Sequence, residues 1–253
     1  MPAVLKEVGG DWDAIGALDP FWGMTGERDS PPDLEQFLDS GDREIERVLM
    51  IAAAYRLPQQ HSAALDFGCG VGRLTRGLRS HFDTYHGLDI SQQMVQHAGT
   101  IHATRAGCSF SVSNDPALGQ FQDAVFDLVY TNLVLQHIPD RQIVRSYLHN
   151  FLRILRPGGL IVFQLPHHVR LWYRIQPRRR LYSTLRRIGI SHETLFSRLR
   201  LHPNQIHHIP AATIEHWISQ SGGQIVQRQV ITSEHAPHQS SVYYVTHAST
   251  AVV

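Results

Sequence analysis

Short apolar runs alternate with longer, helix-like segments over residues 62–165. Five runs have the length and apolar content of strands: SAALDF, YHGLDI, CSFSVSND, FDLVYTNL and LIVFQL. Between them, apolar positions with helical spacing predict helices at Leu74–Phe82, Ser91–Thr104 and Asp140–Leu155. Strands joined through single helices run parallel with right-handed crossovers. The pattern therefore predicts an α/β fold built on an open, doubly wound sheet.

The two ends of the chain depart from this alternation. Residues 1–32 are rich in Gly, Asp and Pro and predict an irregular arm, followed by a helix from Asp33 onward that is broken near Gly41. After Pro166, helical segments are predicted at roughly 169–188 and 192–200, with another helix at Ala211–Ser221.

Two further strand-like runs, 224–231 and 241–247, complete a predicted sheet of seven mostly parallel strands. We expect an N-terminal arm and helix over 1–60 and a main domain over 61–253. The long segment 166–210 lies at a carboxyl strand edge, which predicts a helical lid inserted after the fifth strand.

Composition places the chain among ordinary globular proteins. Its 253 residues are 42% hydrophobic and 18% charged, which is enough for one sizeable core. The longest uninterrupted apolar run, Leu49–Tyr55, is too short to cross a bilayer, and the first residues do not resemble a signal peptide. Cys69 and Cys108 do not form a disulfide framework. We therefore expect a cytoplasmic protein with no membrane partner.

Charge is unevenly distributed along the chain, although the formal net charge is only +1. Residues 1–50 contain twelve acidic and four basic residues, whereas 166–202 contain nine arginines and one acid, Glu193. The arginine-rich segment is either a solvated face or a binding surface for an anionic group. A pI of about 8.0 and the lack of a recognised binding module argue against nucleic acid as a partner.

The segment ALDFGCGVGRLT, residues 64–75, joins the first strand to the first helix through a glycine-rich loop. Gly68, Gly70 and Gly72 permit a tight turn whose backbone approaches a ligand closely, next to the positive end of a helix. Dinucleotide-binding loops have the spacing G-x-G-x-x-G, but here position 73 is Arg and the spacing is G-x-G-x-G. An acid, Asp66, also precedes the turn. Both departures argue against a nicotinamide dinucleotide.

Five motifs together point to a known family. The segment DFGCGVG, residues 66–72, resembles motif I of class I S-adenosylmethionine-dependent methyltransferases. Later segments resemble further motifs of that family in the same order: HGLDIS, FDLVY, LQHIP and LRPGGL. The resemblance implies a Rossmann-like methyltransferase fold that ends in an antiparallel hairpin. It also implies S-adenosyl-L-methionine as the cofactor and S-adenosyl-L-homocysteine as its product.

The resemblance implies contacts to the adenosyl part of that cofactor. The carboxylate of Asp89 would accept both ribose hydroxyls, and Ile90 would lie against the adenine ring. Helix capping is the alternative role for Asp89. Asn114 and Asp115 would contact the adenine edge, with stabilisation of a turn as the alternative role for Asp115.

The methionine part would lie between the loop and the end of the fourth strand. Asp66 would bind the loop amides and the methionine ammonium group, and Thr131 and Asn132 would contact the same end. Arg73 would pair with the methionine carboxylate, unless it is a surface arginine. The loop itself would contribute Gly68, Cys69, Gly70 and Gly72.

Methyl transfer to a hydroxyl benefits from a general base, and a histidine suits this role because its pKa lies near neutrality. His137 follows the fourth strand, at the edge where doubly wound sheets bind ligands, and is the first catalytic candidate. His167 and His168 follow the fifth strand and come second, ahead of His207 and His208. A structural role is the alternative for each of them.

The chain has no recognisable metal motif. H-E-x-x-H and C-x-x-C are missing, and the two adjacent histidine pairs would point to opposite faces of an extended chain. We therefore expect no required metal.

These features predict a methyltransferase that acts on a small or medium-sized metabolite, preferably on a hydroxyl of a glycan or secondary metabolite. The residues after the fourth strand, TNLV, differ from the Asn/Asp-Pro-Pro-Tyr/Phe tetrapeptide of enzymes that methylate amino groups of nucleic acids. The arginine-rich insertion would suit an anionic or sugar-containing acceptor. The alternatives are an RNA or protein substrate, and a non-catalytic module that only binds the cofactor.

Overall fold

The computed structural model describes residues 2–22, 33–170, 174–231 and 238–248. Within these ranges one sheet contains seven strands: β1 (Ala63–Phe67), β2 (Thr84–Asp89), β3 (Cys108–Val112), β4 (Phe126–Thr131), β5 (Leu155–Val169), β6 (Gly223–Ile231) and β7 (His238–His247). Their spatial order is β3-β2-β1-β4-β5-β7-β6. Strands β1 to β5 pair in parallel, and β7 is antiparallel to both of its neighbours. The predicted doubly wound, seven-stranded sheet is confirmed.

Helices cover both faces of this sheet. They are α1 (Ala3–Leu18), α2 (Leu34–Ala53), α3 (Thr75–His81), α4 (Gln92–Ile101), α5 (Arg141–Ile154), α6 (Pro177–Arg187) and α7 (Ala211–Gln220). The side chains of Asp33, Ser91 and Asp140 accept hydrogen bonds from amides in the first turns of α2, α4 and α5. These caps fix the starts of the three helices.

Successive residues of the central strands pack into two cores on opposite faces of the sheet. In β5, Ile161 and Phe163 pack with side chains of α5 and α7, whereas Leu160 and Val162 pack with side chains of α2 and α3. Strands β1 and β4 are buried over their whole length, as expected for parallel strands covered on both faces. The carboxyl ends of β1, β2 and β4 therefore lie side by side at one edge.

The N-terminal arm forms the helix α1, so the prediction of irregular chain there is wrong. A Cβ on Gly9 would lie 3.3 Å from Cγ1 of Ile90, and one on Gly16 would lie 2.9 Å from Cβ of Gln93. The glycines that suggested irregular chain thus allow α1 to lie directly against the turn after β2. The rest of the predicted arm, 23–32, lies outside the described residues.

Helix α2 is continuous, so the predicted break near Gly41 is also wrong. A Cβ on Gly41 would lie 2.1 Å from the carbonyl oxygen of Arg73, at the start of α3. Apolar residues on either side of this contact, Phe37, Leu38 and Ile45, are buried and hold the helix on the domain. Gly41 therefore permits close helix packing rather than ending a helix.

Strand β5 is longer than the predicted run 160–165. A register shift against β4 lies between Leu155 and Leu160, where Gly158 has a φ of +75°. The strand then pairs with β7 as far as Val169, beyond the predicted start of the insertion at 166.

Within its described residues, 166–170 and 174–210, the insertion contains less helix than the sequence predicted. Helix α6 is shorter than the predicted segment 169–188, and the predicted helix 192–200 is a short turn with π-helical geometry at Thr194–Arg198. Pro177 begins α6, which suits the first turn of a helix. The lid role of 166–210 and the division of the chain at residue 60 stay predictions.

Replacing Gly41 with Ala tests the close contact between α2 and the start of α3. We expect Gly41→Ala to lower the free energy of unfolding by about 1–3 kcal/mol, because the backbone must shift to admit the methyl group. Gly99→Ala is the matched control, since a Cβ on this exposed α4 residue meets nothing within 4 Å. This control should gain up to ~1 kcal/mol from the better helix propensity of Ala. Urea denaturation measures both, and a stabilised Gly41→Ala variant would contradict the packing argument.

Candidate active site

The glycine loop between β1 and α3 has a left-handed backbone at each of its glycines. The φ angles of Gly68, Gly70 and Gly72 are +80°, +54° and +86°, a region in which other residues are strained. The amides of Gly68 and Cys69 donate to the carbonyl of Leu88, at 2.6 and 3.1 Å. The loop is therefore tied to the end of β2 and exposes its backbone at the carboxyl edge of the sheet.

Asp89 ends β2 and faces this loop. Its Oδ2 accepts a hydrogen bond from the amide of Gly70 (2.8 Å), and its Oδ1 accepts one from the amide of Ser91 (2.9 Å). Burial raises the pKa of Asp89, and the hydrogen bonds from these amides oppose the rise. Asp89 thus fixes the turn, and it also lines the adjoining cavity. Its oxygens retain lone pairs that can accept hydroxyl groups of a ligand.

Asp66 lies buried beneath the loop, with 2% of its surface exposed. The hydroxyl of Tyr85 donates to its Oδ2 at 3.1 Å. Burial raises the pKa of Asp66 to about 7, although the hydrogen bond from Tyr85 and the charge of Arg73 lower it. The negative charges of Glu44 and Asp89 add to the rise. Protonation of Asp66 is therefore sensitive to any charge placed near the loop.

Glu44 of α2 is a site residue that sequence reasoning missed. One carboxylate oxygen accepts from Nη2 of Arg73 (2.6 Å), and the other accepts from the Tyr130 hydroxyl and from Nδ2 of Asn132 (2.9 Å). Burial alone would raise the pKa of Glu44, but the charge of Arg73 and these hydrogen bonds outweigh burial and lower it. Its partners lie 29 to 88 residues away in the sequence, so no local motif marks it.

The Glu44 contacts change the expected roles of two residues that line the cavity. The guanidinium of Arg73 is paired within the protein, with Glu44 and with Ser40 Oγ at 3.4 Å, rather than left open for a ligand carboxylate. Because Nδ2 of Asn132 donates to Glu44, the Oδ1 atom of this amide is the group left to accept a hydrogen bond from a ligand.

Among the described residues, carboxylates outnumber cations around the glycine loop. Three acids, Asp66, Asp89 and Glu44, interact electrostatically with one another or with Arg73. An excess of negative charge in a partly buried site favours a ligand that carries positive charge.

A cavity of about 950 Å³, counted with the solvent at its mouth, opens beside the loop. Helix α1 covers it with Leu5, Val8 and Trp12, and the strand ends form its floor. Asp13 anchors this roof, since its carboxylate accepts from Ser91 Oγ at 2.7 Å. The other lining residues are Phe67, Gly68, Gly70, Arg73, Leu88, Asp89, Ile90, Met94, Ser113, Asn132, Leu133, Val134, His137, Ile138 and Tyr147. The cavity thus lies at the carboxyl edge of the sheet, where doubly wound folds bind ligands.

The predicted adenine contacts after β3 do not line this cavity. Ser113 does, but Asn114 and Asp115 do not. The carboxylate of Asp115 accepts from the amides of Ala117 and Gly119, both at 2.9 Å, and these bonds lower its pKa. The structure therefore shows the turn-stabilising arrangement for Asp115, and its contact with adenine stays a prediction.

Three other predicted site residues do not line the cavity: Cys69, Gly72 and Thr131. Burial raises the pKa of the Cys69 thiol well above its ordinary value, and the carbonyl of Gly72 contacts Nε2 of His102 at 2.9 Å. Thr131 is buried at the end of β4. These residues shape the loop and its support, and no direct ligand contact follows from their positions.

His137 lines the cavity from a short 3-10 turn after β4, next to the ring of Trp12. Its Nδ1 lies 2.6 Å from the carbonyl oxygen of Gln205, so Nδ1 carries the proton, and its Nε2 lies 3.3 Å from Nε2 of Gln136. Burial lowers the pKa of His137 to about 4, although hydrogen bonds to the carbonyls of Gln205 and Leu133 raise it. The imidazole is therefore neutral at pH 7, and the near-neutral pKa expected from the sequence is not found.

The remaining histidine candidates do not line the cavity: His167, His168, His207 and His208. Nδ1 of His167 contacts Ser241 Oγ at 3.0 Å, and His168 is exposed. His207 lies behind His137, where its Nε2 contacts Oε1 of Gln205 at 3.0 Å and burial lowers its pKa to about 4. Of the histidines predicted to be catalytic, only His137 faces the cavity.

No group of three or more His, Cys, Asp or Glu residues in the described ranges is arranged to hold a metal ion. In the same part of the chain, no helix is long and apolar enough to cross a membrane.

Comparison with known proteins agrees with this geometry. A protein family described as "Methyltransferase domain" matches residues 65–163, the segment that contains the glycine loop, Asp89 and His137. Residues 65–163 belong to this family. The resemblance to class I S-adenosylmethionine-dependent methyltransferases is thereby confirmed.

The methyltransferase domain is similar to parts of several curated proteins. One is 2-methyl-6-phytyl-1,4-hydroquinone methyltransferase of Synechocystis sp., 29% identical over 155 residues, which cover 60% of this chain and 47% of that protein. Another is malonyl-[acyl-carrier protein] O-methyltransferase of Salmonella typhimurium, 31% identical over 141 residues, which cover 53% of each. The chain thus spans about half the length of these two relatives.

Solved methyltransferase structures share the fold at low sequence identity. Magnesium protoporphyrin IX methyltransferase from Synechocystis, with bound SAH, has a TM-score of 0.62 at 18% identity and covers 97% of this chain and 100% of its own. An S-adenosylmethionine-dependent methyltransferase from Leishmania major has a TM-score of 0.64 at 15% identity and covers 96% of this chain and 83% of its own. The predicted Rossmann-like methyltransferase fold is confirmed.

Glu44→Gln tests how far the stability of the folded protein depends on the ion pair between Glu44 and Arg73. We expect the free energy of unfolding at neutral pH to fall by about 1–2 kcal/mol, because Arg73 loses its charged partner while the pair is only partly buried. The folded state lowers the pKa of Glu44, so its contribution is present at neutral pH and disappears as pH falls through that pKa. The difference between variant and parent should therefore shrink in acid.

Chemical denaturation at neutral and acidic pH measures this difference. Glu46→Gln is the matched control, because Glu46 is exposed on the same helix. Equal losses for both variants at neutral pH would show that the Glu44 contacts add no stability.

Proposed function

We propose that this protein transfers a methyl group from S-adenosyl-L-methionine to a hydroxyl of a small or medium-sized metabolite. The observation that carries the proposal is the excess of carboxylates around a glycine loop of class I type, with Arg73 already paired to Glu44. The sulfonium and ammonium groups of this cofactor are cationic, so they complement the charge of Asp66, Asp89 and Glu44. A nicotinamide dinucleotide carries a negative pyrophosphate and would be repelled.

The residues present fit the cofactor. Asp89 would accept the ribose hydroxyls, Ile90 would pack on the adenine ring, and the positive-φ backbone at Gly68 and Gly70 would admit the methionine chain. The free Oδ1 of Asn132 would accept from the ammonium group, with Asp66 adding negative charge from below. Among the residues predicted from the sequence, these six have the atoms best placed to contact the cofactor.

S-adenosyl-L-methionine supplies an electrophilic methyl group, so the chain itself has three tasks. It must align the acceptor with the methyl group, exclude water, and accept or orient the acceptor proton. The roof of α1 would help to exclude water, because Leu5, Val8 and Trp12 cover the cavity with apolar side chains. His137 is the polar side chain placed to meet a hydroxyl, provided that Nε2 exchanges its contact with Gln136 for one with the acceptor.

Several relatives support oxygen as the acceptor atom. Two of the similar proteins carry O-methyltransferase in their names, for malonyl-[acyl-carrier protein] and for tocopherol in Arabidopsis thaliana. The apolar character of the cavity wall favours an acceptor with an apolar body. An anionic or sugar-containing acceptor, as the sequence suggested, would have to use the arginine-rich insertion.

Cofactor binding should release protons from Asp66. In the free protein its pKa is about 7, and a bound cation lowers it, so the carboxyl ionises on binding below that pH. Affinity for S-adenosyl-L-methionine should therefore rise as pH increases toward 7 and then level off. Calorimetry in two buffers of different ionisation enthalpy measures the proton release directly.

Asp66→Asn should abolish the proton release, and Asp115→Asn, outside the cavity wall, should retain it. NAD serves as the ligand control and should give no binding signal. Binding of NAD without binding of S-adenosyl-L-methionine would overturn the proposal. Binding of the methionine cofactor without transfer to any metabolite, RNA or protein would identify a non-catalytic module.

His137→Ala should lower turnover on a hydroxyl acceptor by roughly 10²-fold, the low end of general-base effects, because a group of low pKa is a weak base. Its pKa of about 4 also predicts that His137 contributes no step to the pH–rate profile between about pH 6 and 8. Turnover should decline only in stronger acid, as the imidazole becomes charged. Single-turnover rates with the best acceptor from a panel of phenols, hydroxy acids and sugars test both statements.

His168→Ala is the control, since His168 is exposed outside the cavity. Affinity for S-adenosyl-L-methionine should be similar in both variants, because His137 acts on the acceptor. Full activity of His137→Ala on a proven hydroxyl acceptor would remove this residue from the mechanism.

A further inference from the structure

Helix α6 and its flanks expose apolar side chains on the side that faces away from the protein. Leu181 is 50% exposed and Ile188, just past the helix end, is 71% exposed. The two are seven residues apart and therefore lie on the same side of the helix. Ile175, two residues before the helix, is 41% exposed. Isolated exposed apolar residues are common, but here Leu181 and Ile188 share one side of a short helix, and Ile175 lies near its start.

Arginines frame this patch on both sides. Arg180 and Arg187 are exposed along one flank, and Arg178 is exposed on the other. Within the described residues none of the three forms an ion pair. Residues 174–192 contain no acidic residue at all. We call this set the basic–apolar surface: Ile175, Arg178, Arg180, Leu181, Arg187 and Ile188.

The opposite side of α6 is used for packing within the protein. Tyr182 is buried, Arg179 donates to the carbonyl of Pro203 at 3.2 Å and lies 3.7 Å from Glu7, and Arg186 donates to the carbonyl of Ile190 at 2.8 Å. The helix therefore has one side committed to the body of the protein. The basic–apolar surface is on the other side, which is exposed.

We propose that the basic–apolar surface docks the protein on an anionic lipid bilayer, as a peripheral contact that does not cross the membrane. Helices that lie in a bilayer interface combine apolar side chains, which enter the acyl boundary, with arginines that stay at the headgroups. Arginines alone would be sufficient to bind a nucleic acid or an acidic protein, and such a partner would leave Leu181 and Ile188 exposed to water. The apolar centre within a basic frame complements a bilayer that carries negative headgroups.

This proposal revises the expectation of no membrane partner, which rested on the absence of a long apolar run. An interfacial surface needs no such run, because only one side of a short helix enters the lipid. The surface is connected to the site, since Nε2 of Gln176 at the start of α6 donates to the carbonyl of Ile206, next to the Gln205 carbonyl that holds His137.

Vesicle sedimentation with the full chain tests the proposal without any use of methyl transfer. We expect binding to mixed phosphatidylcholine–phosphatidylglycerol vesicles, weak binding to phosphatidylcholine alone, and loss of binding at high salt. Each arginine near an anionic surface contributes roughly fivefold, so the double variant Arg180→Gln and Arg187→Gln should bind about 25-fold more weakly. The double variant Leu181→Gln and Ile188→Gln should bind at least about tenfold more weakly with its charge unchanged.

The matched control changes Arg47 and Met50 to Gln on the exposed side of α2, and it should bind like the parent. Thermal unfolding confirms that each variant is folded, which is expected because every changed residue is exposed. No binding to anionic vesicles would overturn the proposal. Binding that depends on the arginines but not on Leu181 and Ile188 would also overturn it and would indicate a general polyanion site. A failed search for methyltransferase activity would leave this result unaffected.

Discussion

The carboxylate of Glu44 joins three segments that are far apart in the sequence: α2, the start of α3 and the end of β4. The cavity depends on this junction in two ways. First, Glu44 pairs with the guanidinium of Arg73, which leaves an excess of negative charge around the loop. Second, Glu44 accepts a hydrogen bond from Nδ2 of Asn132, so the amide oxygen of Asn132 is open to a ligand. A charged group of α2 thus sets the electrostatic character of a loop it does not belong to.

The sheet and the glycine loop could be predicted because their signals are local. Buried parallel strands are short apolar runs, and the loop follows from the spacing of Gly68, Gly70 and Gly72 next to Asp66 and Asp89. These positions also carry the family resemblance. Where the sequence allowed two roles, as for Asp89 and Asp115, the structure shows hydrogen bonds to turn amides in both, and Asp89 in addition faces the cavity.

What could not be predicted depends on contacts between distant residues. Gly41 suggested a helix break, and only the backbone of Arg73, which touches it in space, explains the glycine. The lowered pKa of His137 arises from burial, and the carbonyl of Gln205, 68 residues further along the chain, opposes it only in part. A histidine in a favourable sequence position therefore says little about its protonation until its surroundings are known.

The glycines of α1 also have a thermodynamic consequence. Glycine disfavours helix by about 1 kcal/mol relative to alanine, and isolated helices of this length are marginal even with good helix formers. Residues 3–18, with glycines at 9, 10 and 16, would therefore be largely unstructured if detached from the turn after β2. Helix formation and docking of this segment form a single equilibrium, and a ligand beneath Leu5, Val8 and Trp12 shifts it toward the folded roof. The secondary structure of the N-terminal segment would then report whether the cavity beneath it is occupied.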